Sequence, residues 1–79
     1  MGQNQSYWRK LPLTYLIVEA LERRGGSSKD IDLYKEIAEN VQLTYSEFLK
    51  ALMILEMQGI IYTETIGRDL RNIQLRKRP

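Results

Sequence analysis

The sequence contains no cysteine and no histidine. Disulfide bonds are therefore excluded, and so are the two side chains that most often bind structural zinc. The same two residue types supply the commonest general base and the strongest nucleophile of enzymes. The sequence also has no glycine-rich phosphate loop and no carboxylates spaced so that they must converge. We therefore expect neither an enzyme nor a metalloprotein, and no cofactor or small-molecule ligand.

Long apolar runs are lacking as well, because charged residues interrupt every hydrophobic stretch well before it reaches bilayer length. Residues 1–6 are polar and do not resemble the start of a signal peptide. Gly2 and Ser6 match the spacing of an N-myristoylation motif, which we interpret as a chance match. These features predict a cytoplasmic protein with no membrane segment, and the length of 79 residues predicts one small domain.

Apolar residues recur with helical spacing in three successive segments. The first starts near Pro12 and stops at Gly25-Gly26, and the second follows a connection that contains Ile31. We expect Asp30 or Asp32 to cap the second helix, and a short strand around Ile31 to pair with a later hairpin. The predicted core positions of these two helices are Leu13, Leu16, Ile17, Ala20, Leu21, Tyr34, Ile37, Ala38 and Val41.

The third helix has the clearest local signal in the sequence. Thr44 is followed three residues later by Glu47, which fits a capping box at the start of a helix. The helix runs to Gln58, and Gly59 is expected to end it in the left-handed conformation. Its predicted core face contains Phe48, Ala51, Leu52 and Leu55.

After this helix the pattern changes from helical to alternating. Residues 60–66 are rich in β-branched and aromatic side chains, which is typical of a strand. Residues 67–69 supply a turn, and residues 70–75 return as a second strand. Ile73 and Leu75 are expected on one face of that strand, with Asn72 and Gln74 on the other.

Three helices followed by a two-stranded hairpin resemble the winged helix-turn-helix family. The resemblance is carried by Leu52, Leu55-Glu56 and Gly59-Ile60-Ile61, and by Gly67-Arg68 after an alternating strand. The chain is also similar to the small stand-alone winged-helix proteins common in archaea. Such proteins imply a mostly helical α+β domain, but winged helices bind either DNA or other proteins, so the family does not decide the function.

We expect the domain to cover residues 11–75, between a flexible basic N-terminal arm at 1–10 and a basic tail at 76–79. Net charge is only +2, so its distribution matters. Residues 1–10 carry +2 and residues 60–79 carry +3, whereas residues 25–59 are acidic. Because neutralised phosphates supply most non-specific DNA affinity, the arm and the hairpin carry the electrostatic case for DNA.

The resemblance implies that the third helix contacts DNA through its outward side. Ser46 and Lys50 are the expected base or phosphate contacts, and Tyr45 flanks them. The same side carries three apolar residues that do not suit a DNA-reading face: Met53, Ile54 and Met57.

Those three residues, together with Trp8, predict a dimer or partner interface, since a helix that is apolar nearly all round usually has a second partner. The alternative is that some of them pack beneath the Tyr7-Trp8 segment. The sequence leaves both interpretations open.

The hairpin and the arm supply the remaining predicted DNA contacts. Arg68 lies at the predicted tip and Arg71 follows it, where wings of the family touch phosphates or enter the minor groove. Arg9 and Lys10 add basic charge from the arm. The tail at 76–78 is either a DNA contact or a solvated terminus.

Our leading hypothesis is a homodimeric protein that binds double-stranded DNA, acting as a transcriptional regulator or a chromosome-associated factor. The alternative is a winged-helix protein-interaction module that docks into a larger complex, which the acidic helix-turn-helix favours. RNA binding through the same wing is a third hypothesis, although the sequence has no dedicated RNA motif.

Overall fold

The computed structural model describes residues 11–76, which form a small, mostly helical α+β domain. The three helices and the hairpin predicted from the sequence are present. In the described part of the chain, no helix is long and apolar enough to cross a membrane. The elements in chain order are α1 (Leu13–Arg23), β1 (Ser27–Lys29), α2 (Asp30–Ala38), α3 (Tyr45–Met57), β2 (Ile61–Thr65) and β3 (Arg71–Leu75).

The sheet has three antiparallel strands in the order β1-β3-β2. The extra strand beside the hairpin was expected around Ile31, and that position is wrong. The strand instead follows Gly26 directly, whose carbonyl accepts a hydrogen bond from the Leu75 amide at 2.9 Å. The pairing continues with Ser28 opposite Ile73 and is over before Ile31, which lies in the first turn of α2.

The start of α2 also differs from the prediction. Lys29 occupies the N-cap position, and its side chain forms no capping hydrogen bond. The prediction that Asp30 or Asp32 is the N-cap is therefore wrong. Both aspartates lie in the first turn, where negative charge favours the helix dipole. Leu33 shares the buried face of α2 with Ile37, four residues later, and it is a fully buried residue that the sequence interpretation left out of the core.

The core lies between the three helices and the inner face of the sheet. The predicted stripes of α1 and α3 are confirmed, with Ile17 and Phe48 among the residues that have no exposed surface. Full burial of one such side chain stabilises the fold by about 1.5–3 kcal/mol. The largest fully buried side chains come from every element except β1: Ile17, Leu21, Leu33, Phe48, Leu55, Ile61 and Ile73.

Both ends of α3 form as predicted. The Glu47 amide donates to Thr44 Oγ1 at 3.1 Å, and the Thr44 amide donates to Glu47 Oε1 at 2.9 Å, which completes the capping box. At the other end Gly59 has a backbone φ of +75°, which residues other than glycine rarely adopt. The Ile60 amide then donates to the Leu55 carbonyl at 3.0 Å. This tight reversal sends β2 back along α3.

The capping box yields a stability prediction. Thr44→Ala removes the side-chain acceptor of the Glu47 amide and should lower the free energy of unfolding by about 1 kcal/mol. Urea denaturation followed by circular dichroism measures the change. Ser46→Ala, an exposed substitution in the same helical turn, is the control and should change stability much less. Equal effects of the two substitutions would contradict the capping role of Thr44.

Candidate nucleic-acid interface

Tyr45 opens α3 and is held in place by other aromatic rings. Its ring meets the Tyr34 ring edge-on at 5.2 Å between centroids and lies 6.0 Å from the Phe48 ring. Tyr34 is itself fixed, because its hydroxyl donates to the Leu43 carbonyl at 3.0 Å. Tyr45 nevertheless keeps 40% of its surface exposed. It can therefore present a positioned ring edge beside the first turn of α3.

The outward side of α3 changes character along its length. Ser46 and Lys50 are both exposed and stand four residues apart, so they share one stripe in the first half of the helix. The second half of the same side is apolar, with Met53 59%, Ile54 47% and Met57 84% exposed. A polar half and an apolar half thus lie end to end on one helix.

The hairpin tip carries the predicted arginines and two apolar residues that were not foreseen. The Ile66 amide donates to the Leu70 carbonyl at 3.0 Å and closes the tip, where Arg68 is exposed. Arg71 is the first residue of β3, opposite Thr65. Ile66 and Leu70 are 49% and 37% exposed, so they flank Arg68 with apolar surface. Ile66 is the last residue of the alternating pattern at 60–66, and that pattern is the sequence signal that could have identified it.

A side-chain hydrogen bond joins the hairpin to α3. Thr63 Oγ1 donates to Glu56 Oε2 at 2.9 Å, which aligns β2 with α3 at this point. β2 continues from this contact to Thr65, and residues 67–69 then bend through the tip that carries Arg68. The hairpin tip is therefore joined to α3 through a short paired strand.

Two arginines at the end of α1 are engaged in ion pairs. Arg24 Nε lies 2.7 Å from Glu36 Oε1, and Arg23 Nη2 lies 3.0 Å from Glu36 Oε2. Arg23 also lies 3.7 Å from Glu19, four residues earlier. These pairs join α1 to α2 and neutralise the basic end of α1.

The cations near the hairpin tip and on α3 differ from Arg23 and Arg24 in their ion pairing. Within residues 11–76, the ion pairs involve Arg23 and Arg24 but none of the basic residues predicted to contact DNA. Three of the predicted DNA contacts are therefore exposed cations that have no ion-pair partner among the described residues: Lys50, Arg68 and Arg71.

Arg76 is the first residue of the predicted basic tail, and it packs against the sheet. Its guanidinium lies over the Tyr62 ring, 5.4 Å from the centroid, where cation–π attraction holds it. The Tyr62 hydroxyl donates to Gln74 Oε1 at 3.0 Å, so the ring is also fixed. Lys77 and Arg78 lie outside the described residues, as do Trp8 and the predicted DNA contacts Arg9 and Lys10.

Comparison with known proteins adds no assignment, since no protein-family model, curated protein or solved structure matches this chain. The candidate interface is therefore defined by its own geometry. It consists of the first half of α3 and the tip of the β2–β3 hairpin, listed by residue as Tyr45, Ser46, Lys50, Ile66, Arg68, Leu70 and Arg71.

The ion pairs of Glu36 yield a prediction about pH. Hydrogen bonds from Arg23 and then from Arg24 lower the pKa of Glu36 below its ordinary value of 4.5, against a smaller opposing effect of desolvation. A carboxylate with a lowered pKa in the folded state contributes stability above its unfolded pKa, and that contribution is lost as the pH falls through the folded pKa. Glu36→Gln should therefore destabilise the protein at neutral pH and approach wild-type stability in acid.

Urea denaturation of both proteins across the acid range measures this difference. Glu39→Gln is the matched control, because Glu39 is exposed at the C-cap of the same helix and makes no ion pair with the residues of 11–76. A gap between wild type and Glu36→Gln that does not change with pH would show that the ion pairs contribute nothing.

Proposed function

We propose that this chain is a winged helix-turn-helix protein that binds double-stranded DNA. The observation that carries the proposal is a set of exposed cations near the hairpin tip and on α3 that have no ion-pair partner among residues 11–76: Lys50, Arg68 and Arg71. Phosphate binding requires such available cations, because an arginine already held by a carboxylate neutralises no phosphate. In this proposal the chain acts in the cytoplasm as a transcriptional regulator or a chromosome-associated factor.

In this proposal the hairpin is the wing. Arg68 reaches a phosphate or the minor groove, and Arg71 binds the backbone beside it. Ile66 and Leu70 flank Arg68 with exposed apolar surface. Such side chains contact sugars or press against a base step when a basic tip enters the minor groove. The hydrogen bond between Ile66 and Leu70 supports this role, since it holds the tip closed before binding.

The N-terminal half of α3 contacts the major groove in the same proposal. A recognition helix reads base edges mainly with its first residues, which here are Tyr45 and Ser46, with Lys50 one turn later. Ser46 accepts or donates a hydrogen bond to a base or phosphate, and Lys50 binds guanine or the backbone. The exposed methionines at 53 and 57 would stay outside the groove. Affinity would therefore come mainly from the wing.

The salt dependence of DNA binding tests this proposal. Affinity of the full chain for a short duplex, measured by fluorescence anisotropy, should fall steeply with salt concentration. Arg68→Ala and Arg71→Ala should each reduce the slope of log K against log salt by about 0.9, the value for one phosphate contact. Lys35→Ala makes the same change in net charge from an exposed position on α2, and it should leave the slope unchanged.

Two results would overturn the DNA-binding proposal. One is the absence of binding at low salt, and the other is an equal change in slope for all three variants. The second would mean that net charge, rather than the wing, determines the attraction.

The apolar half of α3 favours a second candidate function, protein interaction. Met53, Ile54 and Met57 expose about half or more of their surface on neighbouring turns. Methionine-rich surface adapts to a partner, and a small domain gains stability by covering it. A second copy of the chain on this surface would give a homodimer with its wings about one DNA turn apart.

Sedimentation velocity tests the homodimer. The double substitution Met53→Glu, Met57→Glu should convert a wild-type dimer to a monomer, because it places buried negative charge at the contact. Tyr15→Glu is the control, since Tyr15 is 50% exposed on α1 and outside the proposed surface. A wild-type chain that is already monomeric at high concentration would rule out the homodimer and leave docking into a larger complex.

A further inference from the structure

A groove of about 380 Å³ lies between α1 and the end of α2. Its apolar lining residues are Leu16, Ile37 and Val41. Ile37 is almost completely buried and the other two are half-buried, so the groove reaches the edge of the core. Pockets that hold small ligands start at about 300 Å³, so this groove has room for one large side chain. Its lining residues come from α1 and from 36–41, which separates it from the candidate nucleic-acid interface.

The charged residues at the rim of the groove are paired with one another. Arg24 Nε and Arg23 Nη2 lie 2.7 and 3.0 Å from the two carboxylate oxygens of Glu36. Arg23 also lies 3.7 Å from Glu19. Two carboxylates and two guanidiniums cancel, so within residues 11–76 the rim offers no excess charge to an ionic ligand. The groove therefore favours an uncharged, largely apolar occupant.

Asn40 adds one hydrogen-bonding group to the rim. Its Nδ2 donates to the Glu36 carbonyl at 3.2 Å, which leaves Oδ1 as an acceptor without a donor among residues 11–76. The matching side chain is apolar and carries a single donor. Tryptophan fits this description, because its indole is a large apolar ring whose N–H donates and accepts nothing.

The start of α1 brings the preceding chain to this groove. Pro12 is the N-cap of α1, and its carbonyl accepts a hydrogen bond from the Leu16 amide at 3.2 Å. Leu11 and Leu16 therefore occupy the two positions of a hydrophobic staple, which fixes the angle at which the chain enters a helix. Both leucines are half-buried. Because Leu16 lines the groove, the chain that precedes Leu11 starts at one end of it.

The preceding segment has the required length and side chain. Trp8 is the single tryptophan of the chain and stands three residues before Leu11. Three extended residues span about 10 Å. The groove follows α1 from Leu16 to Arg23, also about 10 Å. Trp8 is thus within reach of the whole groove, and a short tether gives it an effective concentration of about the millimolar range.

We propose that residues 7–10 fold back along α1 and that Trp8 occupies the groove between α1 and α2. The indole ring packs against the three apolar lining residues, and its N–H donates to Asn40 Oδ1. Alternate side chains of an extended segment point in opposite directions, so Tyr7 and Arg9 face solvent. The site does not depend on DNA binding.

The exposed apolar side of α3 suits Trp8 less well. Met53, Ile54 and Met57 belong to one helix, so they form a convex surface. The groove offers walls from two elements, and an aromatic ring buries more of its area between two walls than against one. In this proposal Trp8 is therefore not part of the predicted dimer or partner interface, which consists of the α3 residues alone.

The fluorescence of the full chain tests the proposal, because Trp8 is its only tryptophan. We expect emission at a shorter wavelength and weaker quenching by acrylamide than for the same chain unfolded in urea. Nuclear Overhauser effects should connect the indole ring to the methyl groups of Leu16 and Val41. Emission and quenching equal to those of the unfolded chain, or Overhauser effects to Met53, Ile54 or Met57 instead, would overturn the proposal.

Two variants with the same charge change locate the site. Asn40→Arg places a long charged side chain at the rim, so it should shift the Trp8 emission to longer wavelength and strengthen quenching. Gln42→Arg is the control, because Gln42 is exposed close by and does not line the groove. Circular dichroism checks that both variants are folded. Equal effects of the two substitutions would overturn the assignment.

A variant in the arm itself leaves the described domain unchanged. Trp8→Ala should shift the methyl resonances of Leu16, Ile37 and Val41, because they lose the neighbouring aromatic ring. Tyr7→Ala should leave these resonances unchanged. Shifts that are confined to α3, or that are the same for both variants, would overturn the proposal.

Two further outcomes separate this proposal from the others. Arg68→Ala should leave the Trp8 emission unchanged, so failure of DNA binding does not affect the result. The emission should also be independent of protein concentration. Emission that moves to shorter wavelength only as the concentration rises would show that the arm of a second copy fills the groove, and that result would overturn the intramolecular assignment.

Discussion

Burial of Ile73 at the centre of β3 is the constraint on which the rest of the structure depends. Ile73 has no exposed surface and pairs with Ser28 on one side and Thr63 on the other. β3 therefore joins the connection after α1 to the hairpin that follows α3. If Ile73 left the core, the sheet would lose the register of both outer strands, and the inner face that supports the three helices would lose its centre.

The same constraint leaves the two ends of the hairpin with different roles. At Ile73 and Ile61 the hairpin is buried in the core, where β1 pairs with β3 and α3 packs against β2. Between Thr65 and Arg71 the tip is exposed, while the base of the hairpin is paired and packed. A paired strand positions an exposed arginine such as Arg71 more precisely than a loop does. This is the physical basis for assigning the tip, rather than the acidic helices, the main part in the proposed DNA contact.

The sequence predicts what depends on local periodicity. The buried stripes of α1 and α3, the capping box at Thr44 and the left-handed Gly59 follow from spacing and side-chain chemistry, and the structure confirms them. β1 was misplaced because a three-residue strand has no period of its own and is defined by its distant partner β3. Of the candidate interface residues, Tyr45, Ser46, Lys50, Arg68 and Arg71 were predicted from the sequence, whereas Ile66 and Leu70 emerged only from their exposure in the structure. The ion pairs of Glu36 were not predictable from local spacing, since Glu36 lies 13 and 12 residues away from Arg23 and Arg24.

The central position of β3 also affects how the domain folds. Among residues 11–76, each strand and helix that β3 contacts precedes it in the chain. During synthesis the helices and β1 are therefore made before the strand that completes their sheet. Until β3 arrives, β2 has no ladder on either side, and its β-branched residues are exposed to other nascent chains. Docking of β3 ends this exposure, so substitutions that slow it would lower the yield of folded protein even where the final stability is unchanged.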